Sequence, residues 1–235
     1  MSQSSKEISV DSLHGLAGIG GRLAFLQAFS VVFAIASYFI WPNVFEDHTV
    51  QMILEGILRQ PFAYFMKLEP LVLIASLLQI PVYLGLWSVL RKTAPSKALI
   101  ALIVGMTSII AIFTARPILE MFTLASKYGA TDIAVEKTTY LSAGEALLTQ
   151  FNGTAWALST ILGGVASILF GLIMRKSTAF RTSTTWAMLI AGAGAVIVLV
   201  PVIGILSLFL LATIGGVLAS ILYGIDLLRY DKAGI

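Results

Sequence analysis

Apolar residues run almost unbroken through six stretches of this 235-residue chain, and the polar residues gather between them. A helix needs about 20 apolar residues to cross the hydrocarbon core of a bilayer. The first run is Leu23–Trp41, closed by Pro42, and the second is Pro70–Leu90. The third is Ala98–Ala115, closed by Arg116-Pro117, and the fourth is Gly153–Met174. From Thr182 to Ile225 no residue is charged, which is too long for one crossing. Within it, "VPVIG" at 200–204 brings a proline and a glycine close together, the mark of a turn. The pattern therefore predicts spans at about 23–42, 70–90, 98–116, 153–174, 183–200 and 205–227. The expected fold is all-α: a polytopic integral membrane protein, one domain over 23–230, built as a six-transmembrane-helix bundle.

The segments between the runs are patterned too. In 49–58, Val50, Ile53, Leu54, Ile57 and Leu58 recur at helical spacing; in 133–151, Tyr140, Leu141, Leu147, Leu148 and Phe151 do the same. Glu136, Ser142, Glu145 and Thr149 occupy the other face of the second segment. Both predict amphipathic helices in the outer loops, lying at the interface or packed as caps over the bundle. Residues 1–22 are polar and then glycine-rich, without the basic start and immediate apolar run of a cleaved signal, and are expected to be a cytoplasmic lead-in.

Charge sets the expected orientation. With the N-terminus inside, the inner side holds ten basic residues (Lys6, Arg22, Arg91, Lys92, Lys97, Arg175, Lys176, Arg181, Arg229, Lys232) and the outer side five (Arg59, Lys67, Arg116, Lys127, Lys137). Basic residues favour the cytoplasmic side in short loops, so both ends are placed in the cytoplasm. Trp41, Trp87 and Trp186 fall near span ends, as an interfacial aromatic belt requires. The two three-span halves show no convincing internal repeat.

Composition agrees with a lipid environment. The chain is 58% hydrophobic and 11% charged, where soluble domains carry about a quarter charged residues. With no cysteine and two histidines, His14 and His48, it cannot hold disulfides, thiolate zinc, Fe–S clusters or a three-imidazole site. No metal and no cofactor are expected. A net charge of +3 is too small to imply nucleic acid.

Small residues recur every fourth position in three consecutive spans. Ser159, Gly163, Ser167 and Gly171 form one line, Ala187, Ala191 and Ala195 another, and Ala212, Gly216, Ser220 and Gly224 a third. Such faces allow helix backbones to approach closely in lipid, where no hydrophobic force drives association. Spans 4, 5 and 6 are expected to fill one another's notches, with part of the stripe left for a second copy.

Chemistry-bearing residues are few. Arg116 and Glu120 stand at i, i+4 near the outer end of span 3, Glu69 lies at the same level, and Asp226 lies near the inner end of span 6. The structural expectation is that Arg116 ties to Glu120 or Glu69, and that Asp226 meets Arg229 or the inner interface. Gln79 sits mid-span two residues before Pro81, whose missing N–H frees a carbonyl at Leu77. A kink beside an amide suits a substrate site and suits a simple helix–helix tie equally. Glu69, Gln79, Arg116 and Glu120, with Asn152, form the candidate outer polar pocket. No catalytic residue is assigned: there is no HExxH, no cysteine nucleophile and no base within reach of a serine. "GIGG" at 18–21 is too short for a phosphate loop, and "NGT" at 152–154 fits a glycosylation triplet that abuts span 4.

Spans 4 to 6 carry a resemblance. "NGTAWALSTILGGVASILFGLIMRKS" (152–177), a basic loop, and an apolar hairpin ending "LASILYGIDLLRY" (218–230) resemble the bacterial and archaeal membrane proteins catalogued as domain of unknown function 4386. The motifs cover the last third of the chain, and hydropathy agrees over about 20–230. The resemblance implies six helices in a plasma membrane and carries over no site residue.

Three functional readings follow. The first is a non-catalytic helix-packing or accessory membrane module whose partners are membrane lipids, a second copy or another membrane protein. The second is a small-solute or lipid transporter or receptor with an outward-facing pocket between spans 2, 3 and 4. The third, a lipid-modifying enzyme using Glu69, Glu120 or Glu145, lacks the paired carboxylates such chemistry needs.

Overall fold

A computed structural model describes residues 14–42, 48–151, 153–197 and 205–233. Among these residues every regular element is an α-helix: α1 His14–Ser37, α2 Val50–Arg59, α3 Pro61–Lys67, α4 Pro70–Leu90, α5 Pro95–Thr114, α6 Ile118–Ala130, α7 Ala134–Phe151, α8 Thr154–Met174, α9 Thr182–Ile197 and α10 Ile205–Ala233. By length and composition, five stretches are long and apolar enough to cross a membrane: Gly15–Ser37 in α1, Pro70–Leu90 in α4, Pro95–Ala130 over α5 and α6, Ala134–Met174 over α7 and α8, and Ala212–Ala233 in α10. The remaining predicted span corresponds to α9, which has 16 residues and falls short of that length. The expected turn at 200–204 lies outside the described residues.

The helix starts differ instructively from the sequence expectation. α1 begins at His14 rather than Leu23, so much of the expected polar lead-in is already helical. The cause is the glycine run: Ala17, Gly20, Gly21, Ala24 and Ala28 form a smooth buried face that packs, and packing fixes a helix that propensity would leave frayed. Two helices were not anticipated at all. Pro61 occupies the first position of α3, and Pro117 caps α6 rather than simply closing a span.

The chain gathers into two compact units. The second unit, within Phe29–Leu77 and Thr107–Gly163, contains α2, α3, α6 and α7. Its core joins Val50, Ile53, Leu54 and Ile57 of α2 to Ile118, Met121, Ala125 and Tyr128 of α6, with Leu68 and Phe151. Those α2 positions are the apolar face read from sequence, apart from Leu58, which is exposed. Tyr140, Leu141, Leu147 and Leu148 of α7 pack against the same cluster. The hydroxyl oxygen of Thr49 accepts from the Met52 amide and caps α2.

The first unit comprises the described residues within Met1–Ala28, Leu78–Met106 and Gly164–Ile235. Backbone contact at glycines organises it. A Cβ on Gly20 would lie 2.9 Å from the Pro81 carbonyl oxygen and 3.0 Å from the Gly85 Cα. A Cβ on Gly21 would lie 3.0 Å from the Gly224 carbonyl oxygen, and one on Gly164 2.7 Å from that of Gly192. α1 thus meets both α4 and α10, and α8 meets α9, at separations only glycine allows.

Candidate functional site

The candidate site in the second unit centres on Glu69, the single residue between the α3 C-cap Leu68 and Pro70 at the start of α4. Its φ is 63°, and among the described residues it is the one non-glycine with a positive φ. A following proline disfavours the right-handed region for this residue, and the left-handed corner costs roughly 1–3 kcal/mol. The corner is held by the Glu69 amide donating to the Met66 carbonyl at 3.3 Å and the Val72 amide donating to the Glu69 carbonyl at 3.1 Å. It also brings the carboxylate to its partners. Tyr38 donates its hydroxyl to Oε1 at 2.9 Å, and Arg116 donates Nε to Oε2 at 2.8 Å.

Arg116 is just as enclosed. The two charged side chains are 5% and 9% exposed. Arg116 Nη1 donates to the Phe151 carbonyl at 2.7 Å and to that of Ala115 at 3.1 Å, and its guanidinium stands 5.3 Å from the Phe151 ring centre. One cation therefore ties the α3–α4 corner, the α5–α6 junction and the end of α7.

The other predicted pocket residues lie elsewhere. Glu120 is exposed and does not pair with Arg116, because the chain breaks helix between Thr114 and Ile118 and the i, i+4 geometry is lost. It rims a shallow apolar groove between α6 and α7 with Leu119, Leu124 and Leu147. Asn152 lies outside the described residues. Gln79 belongs to the first unit, where Gln27 donates Nε2 to its Oε1. Tyr223 donates to Gln27 Oε1 at 3.0 Å, and the Ser220 and Tyr223 hydroxyls are 2.8 Å apart. Gln79 beside Pro81 thus joins α1 and α10 in one uncharged polar knot.

A third cluster surrounds Asp226, which is 2% exposed. Its carboxylate accepts from Thr184 Oγ1 at 2.5 Å, the Arg181 amide at 3.2 Å and Arg181 Nε at 2.7 Å. Arg229, the partner named from sequence, stands 4.0 Å away. Asp226 caps the start of α9 from α10, where a helix N-terminus welcomes negative charge.

The small-residue lines are occupied in part by helices other than those expected. Gly171 meets Leu189 of α9, and Ala212 meets Gly194. Gly224, however, faces Gly21 and Ala24 of α1, and Gly163 faces Ser108 of α5. The closest α8–α9 approach, Gly164 to Gly192, runs one residue beside the predicted line. Ser159 is buried, Ser167 is half-buried, and Ser220 is spent in the glutamine knot. Gly216 has open space before it.

Sequence reasoning missed Tyr38 and the α1 glycine face. The signal for the second was present: Gly20, Ala24 and Ala28 repeat every fourth residue like the lines that were noticed. Chemically, the three clusters consist of donors and acceptors turned on one another. Among the described residues no group of three His, Asp or Glu side chains is placed to hold a metal ion. No family model, curated protein or solved structure matches the chain.

Proposed function

We propose that this chain is a non-catalytic membrane module of a prokaryotic plasma membrane, with six spans and both ends cytoplasmic, as the resemblance to domain of unknown function 4386 implies. The carrying observation is that the enclosed carboxylates each close on a cation from another element: Glu69 on Arg116, and Asp226 on Arg181. Such pairs fix helix positions and occupy both of these enclosed carboxylates. α9 serves as the short sixth span. α2 and α7 lie at the outer interface, with their apolar faces turned toward the α6 core. Partners are membrane lipids and a second copy or another membrane protein, for which the uncovered Gly216 and the exposed Ile214, Leu218 and Ile221 of α10 leave a surface.

Native mass spectrometry of the protein gently extracted from its own membrane tests this reading. Added mass equal to a second copy or another polypeptide supports it. A bare monomer carrying one defined small molecule overturns it. Single cysteines at Ser177 and Thr131 test the topology: the first must react from the cytoplasmic side and the second from outside.

The strained Glu69 corner favours a second reading, a small-solute or lipid transporter or receptor whose outward pocket lies between spans 2, 3 and 4. Cysteines at Tyr38 and Glu69 that stay unreactive to aqueous reagents end it.

A further inference from the structure

Arg22, like Lys97, Arg175, Lys176 and Lys232 of the first unit, makes no ion pair among the described residues. Arg22 is exposed on α1, a helix otherwise apolar on that side. Ile19, Phe25 and Leu26 stand three or four residues away on the same face, at 49%, 37% and 47% exposure. The opposite face is sealed, since Gly21 abuts Gly224 and Leu228 and Ala24 is fully buried. Arg22 itself is exposed, on the side of α1 away from these buried contacts.

The surroundings state the sign of any counter-ion there. Three connections converge on the last turns of α10: Arg181 on Asp226, Lys92 over the Tyr230 ring at 5.3 Å, and Gly18 beneath the Asp231 carboxylate. They bring the basic ends of α4, α8 and α10 together. The described residues of this unit hold nine basic side chains against two acidic ones. Asp226, one of the two, is already closed on Arg181, and Asp231, the other, lies against Gly18 of α1 without an ion pair among the described residues.

Resting on the membrane-spanning reading, we propose that Arg22 seats the phosphate of an anionic membrane lipid. Its planar fork matches two phosphate oxygens. Its aliphatic stem lies along the apolar face shared with the acyl chains, and the head reaches toward the basic end of the unit. The excess of positive charge there selects anionic headgroups over zwitterionic ones.

The test places the full chain in nanodiscs of mixed phosphatidylcholine and phosphatidylglycerol and counts retained lipids by native mass spectrometry. The wild type retains phosphatidylglycerol preferentially. Arg22→Gln lowers that preference about fivefold, the factor expected for one basic residue beside an anionic surface. Arg22→Lys, which keeps charge but not the fork, falls between the two and guards against a folding defect in the first variant. Lys127→Gln, in the other unit, changes nothing. An unchanged preference in Arg22→Gln overturns the proposal. So does full displacement by millimolar inorganic phosphate, which makes the ligand a free anion. A dimer that Arg22→Gln converts to monomer assigns the guanidinium to a carboxylate of a second copy and overturns it too. A chain that does not enter the nanodiscs overturns the membrane reading itself, a different failure.

Discussion

Arg116 Nε lies 2.8 Å from Glu69 Oε2, and the carboxylate reaches it from a backbone held in the left-handed region. Both side chains are almost wholly enclosed, so each charge depends on the other. Removing one partner of such a pair costs about 3–5 kcal/mol, because the survivor is left uncompensated. Glu69→Gln and Arg116→Gln are each expected to lose stability on that scale, and the double variant to recover much of it. A double-mutant cycle in detergent measures the coupling; strictly additive losses would show that the pair does not act as one.

The glycine contacts predict opposite responses at two positions. Gly20→Ala sets a methyl 2.9 Å from the Pro81 carbonyl oxygen, so α1 and α4 must separate and the thermal midpoint falls. Gly216→Ala meets nothing within 4 Å and gains about 1 kcal/mol of helix propensity, so its midpoint rises. Equal midpoints for the two variants would contradict the packing described for the first unit.

Asp226 holds the start of α9. Asp226→Asn keeps the shape but removes the charge that Arg181 and the helix N-terminus both use. Hydrogen exchange at the amides of Thr182–Trp186 is expected to quicken by an order of magnitude or more, for a loss of about 1.5–3 kcal/mol in charge-assisted bonding. Protection unchanged from wild type would mean that α9 is anchored by its glycine contacts alone.

The glutamine knot makes a prediction about sign. Gln79→Leu strands the Gln27 amide and is expected to destabilise by about 1–3 kcal/mol. Gln27→Leu with Gln79→Leu removes both amides, leaves Ser220 and Tyr223 paired, and restores most of that loss. A double variant worse than either single one would give the knot a purpose beyond holding helices.

What could be read from the sequence followed from how local the signal was. The helices α4 and α8 fall within a residue of the limits read for two apolar runs, because proline, glycine and the hydropathy step coincide there. The α2 face was legible for the same reason: one short period and one cap. The partner of Arg116 was not fixed by the sequence, since Glu69 and Glu120 sit at similar predicted depth and only the helix break before Ile118 decides between them. α6 was hidden because Pro117 was read as a stop, although a proline ends one helix and opens the next with equal ease. The small-residue lines showed which faces pack, but rotation and neighbour choice are tertiary, so Gly224 found α1 rather than α8 or α9. Gln79 was legible as a mid-span amide beside a proline, while its partner Gln27 stands 52 residues earlier, beyond the reach of any periodicity.

The join of α1 to α10 also orders assembly in time. Tyr223 donates to Gln27 across 196 residues of chain, and Gly21 and Gly224 touch across a similar interval. A ribosome delivers the glycine face of α1 to the membrane long before the helix that covers it exists. During that delay Gly21, Ala24 and the Gln27 amide have only lipid, α4 or the insertion machinery beside them. α10 is therefore the later helix that closes α1, and a chain interrupted before Ala212 would leave that seam open to quality-control proteases.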